Sequence, residues 1–347
     1  MSTGELSETG PMLNHRRPGG RFMDSGLNRL IIWSAALLAI TVVGFAVYYY
    51  VDRSGSGVSG IEERELATAE QAVRDDPTNL VNRLVLADLY FKGERFDASV
   101  TQYQEAVKIN DKSTLAHVGL GRALIETGDL DGASANFQSV IDLSKEEDIS
   151  GELVQSSYYY LGVIALEQKD PDKAVEQFKQ ATTLERTDSD SWYLLGTAYL
   201  EAGKPDEAID SLGQAVLFVP NYTEAYETLA RAFEEKGAAG GAMYARGMAA
   251  YSKGNFQEAA SQLEAAVDVD PNLSQAHAGL GLVRESLGEK DAAIVAYQQA
   301  LQLNPEDFLA KGGLARLTDA PSGDLPANHP DTSGGDGSGG EGIPDQV

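Results

Sequence analysis

The sequence contains no cysteine. That excludes disulfides, thiolate catalysis and zinc sites built on thiolates, while leaving the cellular compartment open. Histidine is nearly as scarce, with His15, His117, His277 and His329 scattered along 347 residues. No HExxH, P-loop or G-x-S-x-G pattern is present, and catalysis is not expected. The acids near Gly128 in "TGDLDGAS" lack the loop length of a calcium-binding EF-hand. No metal or cofactor is therefore expected. Basic residues are also few, 27 against 53 acidic ones, for a net charge of −26. Residues 1–53 hold 4 acids and 5 bases, and residues 319–347 hold 6 acids and no base. The acidic excess thus lies in the middle of the chain. Such a surface repels phosphates, and no basic stripe exists to collect them, so nucleic acid is excluded as a partner.

Only one long apolar run exists, "LIIWSAALLAITVVGFAVYYYV" from Leu30 to Val51. Its 22 uncharged residues suffice to cross a bilayer core as a helix. Trp33 lies near one end and Tyr48, Tyr49 and Tyr50 at the other, where amphipathic rings favour the headgroup interface. Arg16, Arg17, Arg21 and Arg29 precede the run, and only Arg53 follows closely. The positive-inside rule then predicts a cytoplasmic N-terminal tail over 1–29, a single-pass signal anchor over 30–51 and an extracytoplasmic remainder. The apolar core exceeds that of a cleaved signal peptide. A Gly/Ser-rich linker over 52–60 follows.

The rest of the chain repeats with a period of 34 residues. Counting from Ser189, Leu195, Gly196, Tyr199, Gly203, Ala208, Leu212, Ala215 and Pro220 fall at positions 7, 8, 11, 15, 20, 24, 27 and 32. Counting from Ser274 gives Leu280, Gly281, Gly288, Ala293, Tyr297, Ala300 and Pro305 at 7, 8, 15, 20, 24, 27 and 32. Copies starting at Leu80, Thr114, Gln155 and Gly240 follow the same scheme. Apolar residues at i, i+3, i+4 and i+7 mark two amphipathic helices per copy. Small residues at 8, 20 and 27 let the helices approach, and proline at 32 ends the second one. One copy cannot bury its apolar face alone, so neighbours must stack.

This pattern resembles the tetratricopeptide repeat. The resemblance implies an all-α, right-handed α-solenoid of stacked helix-turn-helix pairs with a concave groove, here preceded by the transmembrane helix. The expected array spans 61–317. It comprises a half repeat at 62–79 and repeats at 80–113, 114–147, 155–188 and 189–222. An incomplete repeat at 223–239, repeats at 240–273 and 274–307 and a closing helix at 308–317 follow. Seven extra residues, "DISGELV", separate the third and fourth units. After 223–239 either a helix is missing or "AAGGAMYARGMAAYSKG" fills two roles. The acidic, Gly/Pro-rich segment 318–347 is expected to be disordered.

In this family His117 and His277 hold position 4, a helix-packing site, and Gly119 and Gly279 lie inside first helices. First-helix positions 2, 5, 9, 12 and 13 commonly face the groove. The two-carboxylate clamp that some members use for acidic chaperone tails is absent, because position 5 holds Leu84, Val118, Tyr159, Tyr193, Glu227, Tyr244 and Ala278. The groove candidates are Tyr159, Tyr193, Tyr244 and Tyr251, with Arg122 and Arg231 at position 9. Glu126, Glu167, Glu201 and Glu235 follow at position 13 in consecutive units. Tyrosines suit protein recognition. They equally suit helix–helix seams, as glutamate suits an exposed helix, so both readings stand at this point. The expected activity is that of a membrane-anchored, non-enzymatic scaffold docking a peptide or protein partner. The alternatives are a subunit that self-associates or assembles through its faces, and an accessory factor of cell-envelope or cytochrome biogenesis.

Overall fold

The computed structural model describes residue 60 and residues 63–318. Regular structure among the described residues is entirely α-helical, in fifteen helices. The run Leu30–Val51 and the tail beyond Thr318 lie outside the described residues. No helix among the described residues is long and apolar enough to cross a membrane. Contacts divide the chain into two units, 1–75 and 76–347. The first contains α1 (63–75), braced on its surface by a pair between Arg74 and Glu70.

The second unit begins with α2 (Leu80–Lys92), α3 (Phe96–Ile109), α4 (Thr114–Glu126), α5 (Leu130–Leu143) and α6 (Gly151–Glu167). It continues with α7 (Pro171–Leu184), α8 (Ser189–Glu201), α9 (Pro205–Phe218) and α10 (Thr223–Lys236). The last five are α11 (Ala239–Ser252), α12 (Phe256–Val269), α13 (Ser274–Ser286), α14 (Lys290–Leu303) and α15 (Phe308–Thr318). Local chemistry sets these limits. Asn79, Ser113, Asp129 and Asp170 cap α2, α4, α5 and α7 by accepting a backbone N–H two or three residues into the helix. Pro171 and Pro205 open α7 and α9 at the position where a missing N–H costs nothing. Position 15 is left-handed throughout. Gly128, Gly203, Gly237, Gly254 and Gly288 hold it at φ of 70–83°, and Glu94 and Lys169 hold it without the benefit of glycine.

Packing follows the repeat. Ala208, Leu212 and Ala215 are fully buried, as are Ala259, Leu263 and Ala266 two units later. The small residue at position 8 seats the large residue at 24: a Cβ on Gly196 would lie 2.5 Å from Leu212 Cγ. Phe137 and Phe178 fill the same slot against Gly121 and Gly162. Within the second unit each helix packs on its sequence neighbours, and α2, α4, α6, α8 and α10 also touch in succession to form one layer of first helices. The inserted residues 148–154 are absorbed partly by lengthening α6, which starts at Gly151 and runs for 17 residues.

The array changes phase at α11. This helix lies antiparallel against α10 like a second helix, with Thr223 Oγ1 2.8 Å from Ser252 Oγ. It also pairs with α12 as a first helix, Gly247 facing Leu263 and Ala259. Beyond it α11, α13 and α15 form their own succession of contacts. One helix thus fills both roles. Its sequence permits this because Gly240, Gly241, Ala242, Ala245, Gly247, Ala249 and Ala250 are all buried, leaving room for neighbours on two sides.

Candidate functional site

The layer α2–α4–α6–α8–α10 carries most of the groove candidates. Tyr159 on α6 and Tyr193 on α8 occupy the same repeat position on helices that touch. Both are half-buried. Tyr159 meets Tyr160 and Phe178 edge-on, at centroid distances of 5.4 and 6.1 Å. Burial raises its hydroxyl pKa, and the charge of Asp190 adds to the effect. Tyr193 tilts against Tyr222 at 5.2 Å. Tyr222 in turn donates to Asp190 Oδ1 at 2.8 Å, and burial followed by that hydrogen bond holds its pKa well above the usual phenol range. Asp190, Tyr193 and Tyr222 therefore form one aromatic–carboxylate cluster joining α8 to the turn before α10.

Tyr244 and Tyr251 do not extend this row. Both lie on α11, which runs antiparallel to α10. Tyr244 packs edge-on to Tyr226 at 6.4 Å and Tyr251 packs on Phe256 at 5.5 Å. Arg122 is exposed and places its guanidinium 4.8 Å above the Phe91 ring, a cation–π contact bridging α4 and α2. Arg231 is exposed on α10.

Glu126, Glu167, Glu201 and Glu235 end the first helices α4, α6, α8 and α10 or lie within their last turn, and all four are exposed. None of them is in an ion pair among the described residues. Lys204 and Lys236, which follow Glu201 and Glu235, are engaged elsewhere: Lys204 binds Asp172 at 2.7 Å and Lys236 binds Asp206 at 2.5 Å, each linking one unit to the one before. A carboxylate at a helix C-terminus opposes the macrodipole at ~0.3–1 kcal/mol. The four therefore project negative potential from one edge of the first-helix layer, and no ion pair among the described residues neutralises any of them.

Two features escaped the sequence. Tyr222 sits at position 34, a site with no helix periodicity to mark it, and only the fold brings it to Tyr193. The second is a cleft of ≈ 340 Å³ where α10, α11 and α12 meet, lined by Glu227, Arg231, Glu234, Arg246, Lys253 and Glu258 among others. Its residues look like ordinary exposed helix positions in sequence. His117 and His277 are buried packing residues. His117 bonds Asn136 Oδ1 and the Asp111 carbonyl, each at 2.8 Å. Among the described residues no group of three or more His, Cys, Asp and Glu is placed to hold a metal.

Models of the tetratricopeptide repeat match residues 84–148, 165–221 and 244–308, together more than half of the chain. Cellulose synthase operon protein C of Escherichia coli (strain K12) is 32% identical over 98 residues, a match covering 26% of this chain and 8% of that protein. The chain therefore spans only a small part of the length of this curated relative. A tetratricopeptide repeat protein from Parabacteroides merdae ATCC 43184 aligns with TM-score 0.45 and 14% identity, covering 78% of this chain and 97% of that one. YrrB, described as a TPR protein with an unusual peptide-binding site, aligns with TM-score 0.43 and 16% identity over 60% of this chain and 95% of its own.

Proposed function

We propose that this chain, which belongs to the tetratricopeptide repeat family, is a membrane-anchored docking scaffold that holds a partner protein against its first-helix layer. The observation that carries this reading is the pairing of half-buried aromatics with carboxylates outside any ion pair on that layer. Tyr159 and Tyr193 offer apolar faces, while Glu126, Glu167, Glu201 and Glu235 are in no ion pair among the described residues. A matching partner presents apolar side chains to the rings and Lys or Arg to the carboxylates. Such contacts anchor through the aromatics and steer through the charges. Affinity capture or crosslinking with residues 61–318 as bait supplies the partner. Tyr193→Ala is then expected to weaken binding by about 1–2 kcal/mol or more, and Glu201→Lys to slow association and alter its salt dependence. Unchanged affinity in both folded variants moves the docking surface off this layer.

The anchor and its orientation are part of the proposal. The uncharged run Leu30–Val51 and the arginines before it support a single span with the N-terminus in the cytoplasm and the array on the extracytoplasmic side. A reporter active only outside the cytoplasm, fused after Asp319, is expected to be active; inactivity there reverses the orientation.

Assembly through the array's faces is the second reading. It is favoured by apolar side chains exposed at the ends of successive second helices, Leu184, Leu217, Phe218, Val269 and Leu303, with Leu217 63% exposed. Sedimentation of the protein with and without Leu217→Glu tests it. A monomer in both cases removes this reading.

A further inference from the structure

The phase change at α11 leaves a gap with a definite chemistry. In the regular part of the array every first helix touches the next first helix. At the phase change α10 and α12 both pack on α11 and not on each other. Lys253 pairs with Glu227 and Arg246 with Glu234 along the antiparallel α10–α11 seam. Gly247 meets Leu263 along the antiparallel α11–α12 seam. The helices α10 and α12 are therefore parallel walls of a trough whose floor is α11. Small residues, Ala249 and Ala250, lie at that floor.

The two ion pairs consume the charges at both ends of the α10 wall. Midway between them Arg231 makes no ion pair among the described residues. On the opposite wall the hydrogen bond to Glu258 is a 3.4 Å contact from Asn255 Nδ2, and Lys253 acts on its carboxylate only through the longer-range field. Two charges of opposite sign, neither held in an ion pair among the described residues, thus line opposite sides of one cleft. The amides of Asn255 and Gln262 flank Glu258 on its wall. From Glu227 to Glu234 the wall is ~10 Å long at 1.5 Å per helical residue, the span of about three extended residues. An extended chain of that length matches the wall, and it sends successive side chains to opposite sides. Neighbouring residues of opposite charge would then reach opposite walls.

We propose that this trough is a second binding site, distinct from the tyrosine-bearing α6–α8 part of the first-helix layer, for an extended peptide segment of a partner protein with an acidic and a basic residue adjacent in sequence. The acidic side chain pairs with Arg231 and the basic one with Glu258, while the side-chain amides of Asn255 and Gln262 bond the peptide backbone. A segment of one charge sign satisfies one wall and repels the other. Selectivity therefore arises from the pair and not from the protein's overall charge of −26.

Fluorescein-labelled hexapeptides test this by anisotropy with the full chain in detergent at 0.15 M salt, where long-range attraction is screened. The probes carry a central Lys-Asp, Asp-Lys, Lys-Lys, Asp-Asp or Ala-Ala step between Gly-Ser flanks. At least one mixed-charge peptide is expected to bind ~10-fold or more tighter than the Ala-Ala peptide, as one charge-assisted hydrogen bond suffices to give. Arg231→Gln should abolish that advantage. Arg231→Glu makes both walls acidic and should turn the preference to the Lys-Lys peptide, a switch that mere destabilisation does not produce. Arg231 and Glu258 are both exposed, so these variants keep the fold, which circular dichroism verifies. Tyr193→Ala should leave all five affinities unchanged, so failure of the groove reading does not touch this one. Equal affinity for all five peptides, a wild-type preference for Lys-Lys, or an unaltered preference in Arg231→Glu overturns the proposal.

Discussion

One substitution, Gly→Ala, made at three glycines within 18 residues should give three different outcomes, because each glycine is there for a different reason. Gly213 lies inside α9 with nothing within 4 Å of an added Cβ. There alanine gains helix propensity and should stabilise by about 0.8–1 kcal/mol. Gly203 also faces open space, but its φ is +70°. An L-residue pays about 1–2 kcal/mol in that conformation, offset by about 0.4–1 kcal/mol from the stiffer unfolded chain, leaving a net loss near 1 kcal/mol. Gly196 has helical backbone, yet an added Cβ would stand 2.5 Å from Leu212 Cγ and 3.2 Å from the Ala208 carbonyl oxygen. Leu212 is fully buried and cannot swing away, so α8 and α9 must part. Overpacking of this kind costs about 1–3 kcal/mol, more than the propensity gain. Urea unfolding followed by circular dichroism at 222 nm measures the midpoints, with order Gly213→Ala above wild type, then Gly203→Ala, and Gly196→Ala lowest. A midpoint for Gly196→Ala at or above that of Gly213→Ala would refute close approach of the two helices at position 8. Lys169→Gly gives the converse control: its φ of 61° predicts a small gain where Gly203→Ala gives a loss.

Ala208→Leu and Ala215→Leu, both at fully buried sites, should each lose about 1–3 kcal/mol, whereas Glu207→Leu on the exposed side should stay within about 0.5 kcal/mol; thermal melts rank them. Phe137, fully buried against Gly121 and stacked on Tyr160 at 4.9 Å, should cost about 3–5 kcal/mol on truncation to Ala, read from urea midpoints. Burial raises the Tyr244 pKa from 10.0 to about 12. The folded state then keeps its proton while the unfolded state loses it. Its share of stability should be intact below pH 10 and fall by up to about 1.4 kcal/mol per pH unit between there and about 12, in addition to the losses from Tyr103, Tyr222, Tyr226 and Tyr297, whose pKa values burial also raises. Tyr244→Phe should remove that share and make the slope shallower, with tyrosinate absorbance at 295 nm as the second readout.

The regular units were legible because two periodicities coincide in them. The 3.6-residue apolar pattern identifies helices, and the 34-residue recurrence of Gly196, Ala208, Leu212 and Ala215 fixes which faces meet. A small residue opposite a large one is a contact written in the chain. The left-handed turn was legible at Gly203 and Gly288 but hidden at Glu94 and Lys169, where the neighbouring helices impose the conformation that residue type opposes. The candidate site was less legible for a related reason. A half-buried tyrosine looks the same in sequence whether it faces a seam or solvent. Tyr193 finds Tyr222, and Tyr244 finds Tyr226, only once the helices are stacked.

The phase change at α11 follows from the arithmetic of the repeat. Counted from Thr223, Gly237, Ala242 and Ala249 fall at positions 15, 20 and 27, the signature of a second helix. Counted from Gly240, the same segment places Gly247 at position 8, the signature of a first helix. The two registers differ by 17 residues, half a repeat, so a helix rich in Gly and Ala satisfies both at once. The departure from pattern is Arg246, at position 24 in the first register, where Leu212 and Leu263 fill the seam in other units. Arg246 turns instead to Glu234 across the α10 seam. Where α10 would normally meet another helix, Glu227 and Glu234 stand at positions that hold Tyr193 and Leu200 in the preceding unit. The same half-repeat shift that lets the array continue through α11 therefore also exposes the wall of α10 and makes its polar residues available to something outside the fold.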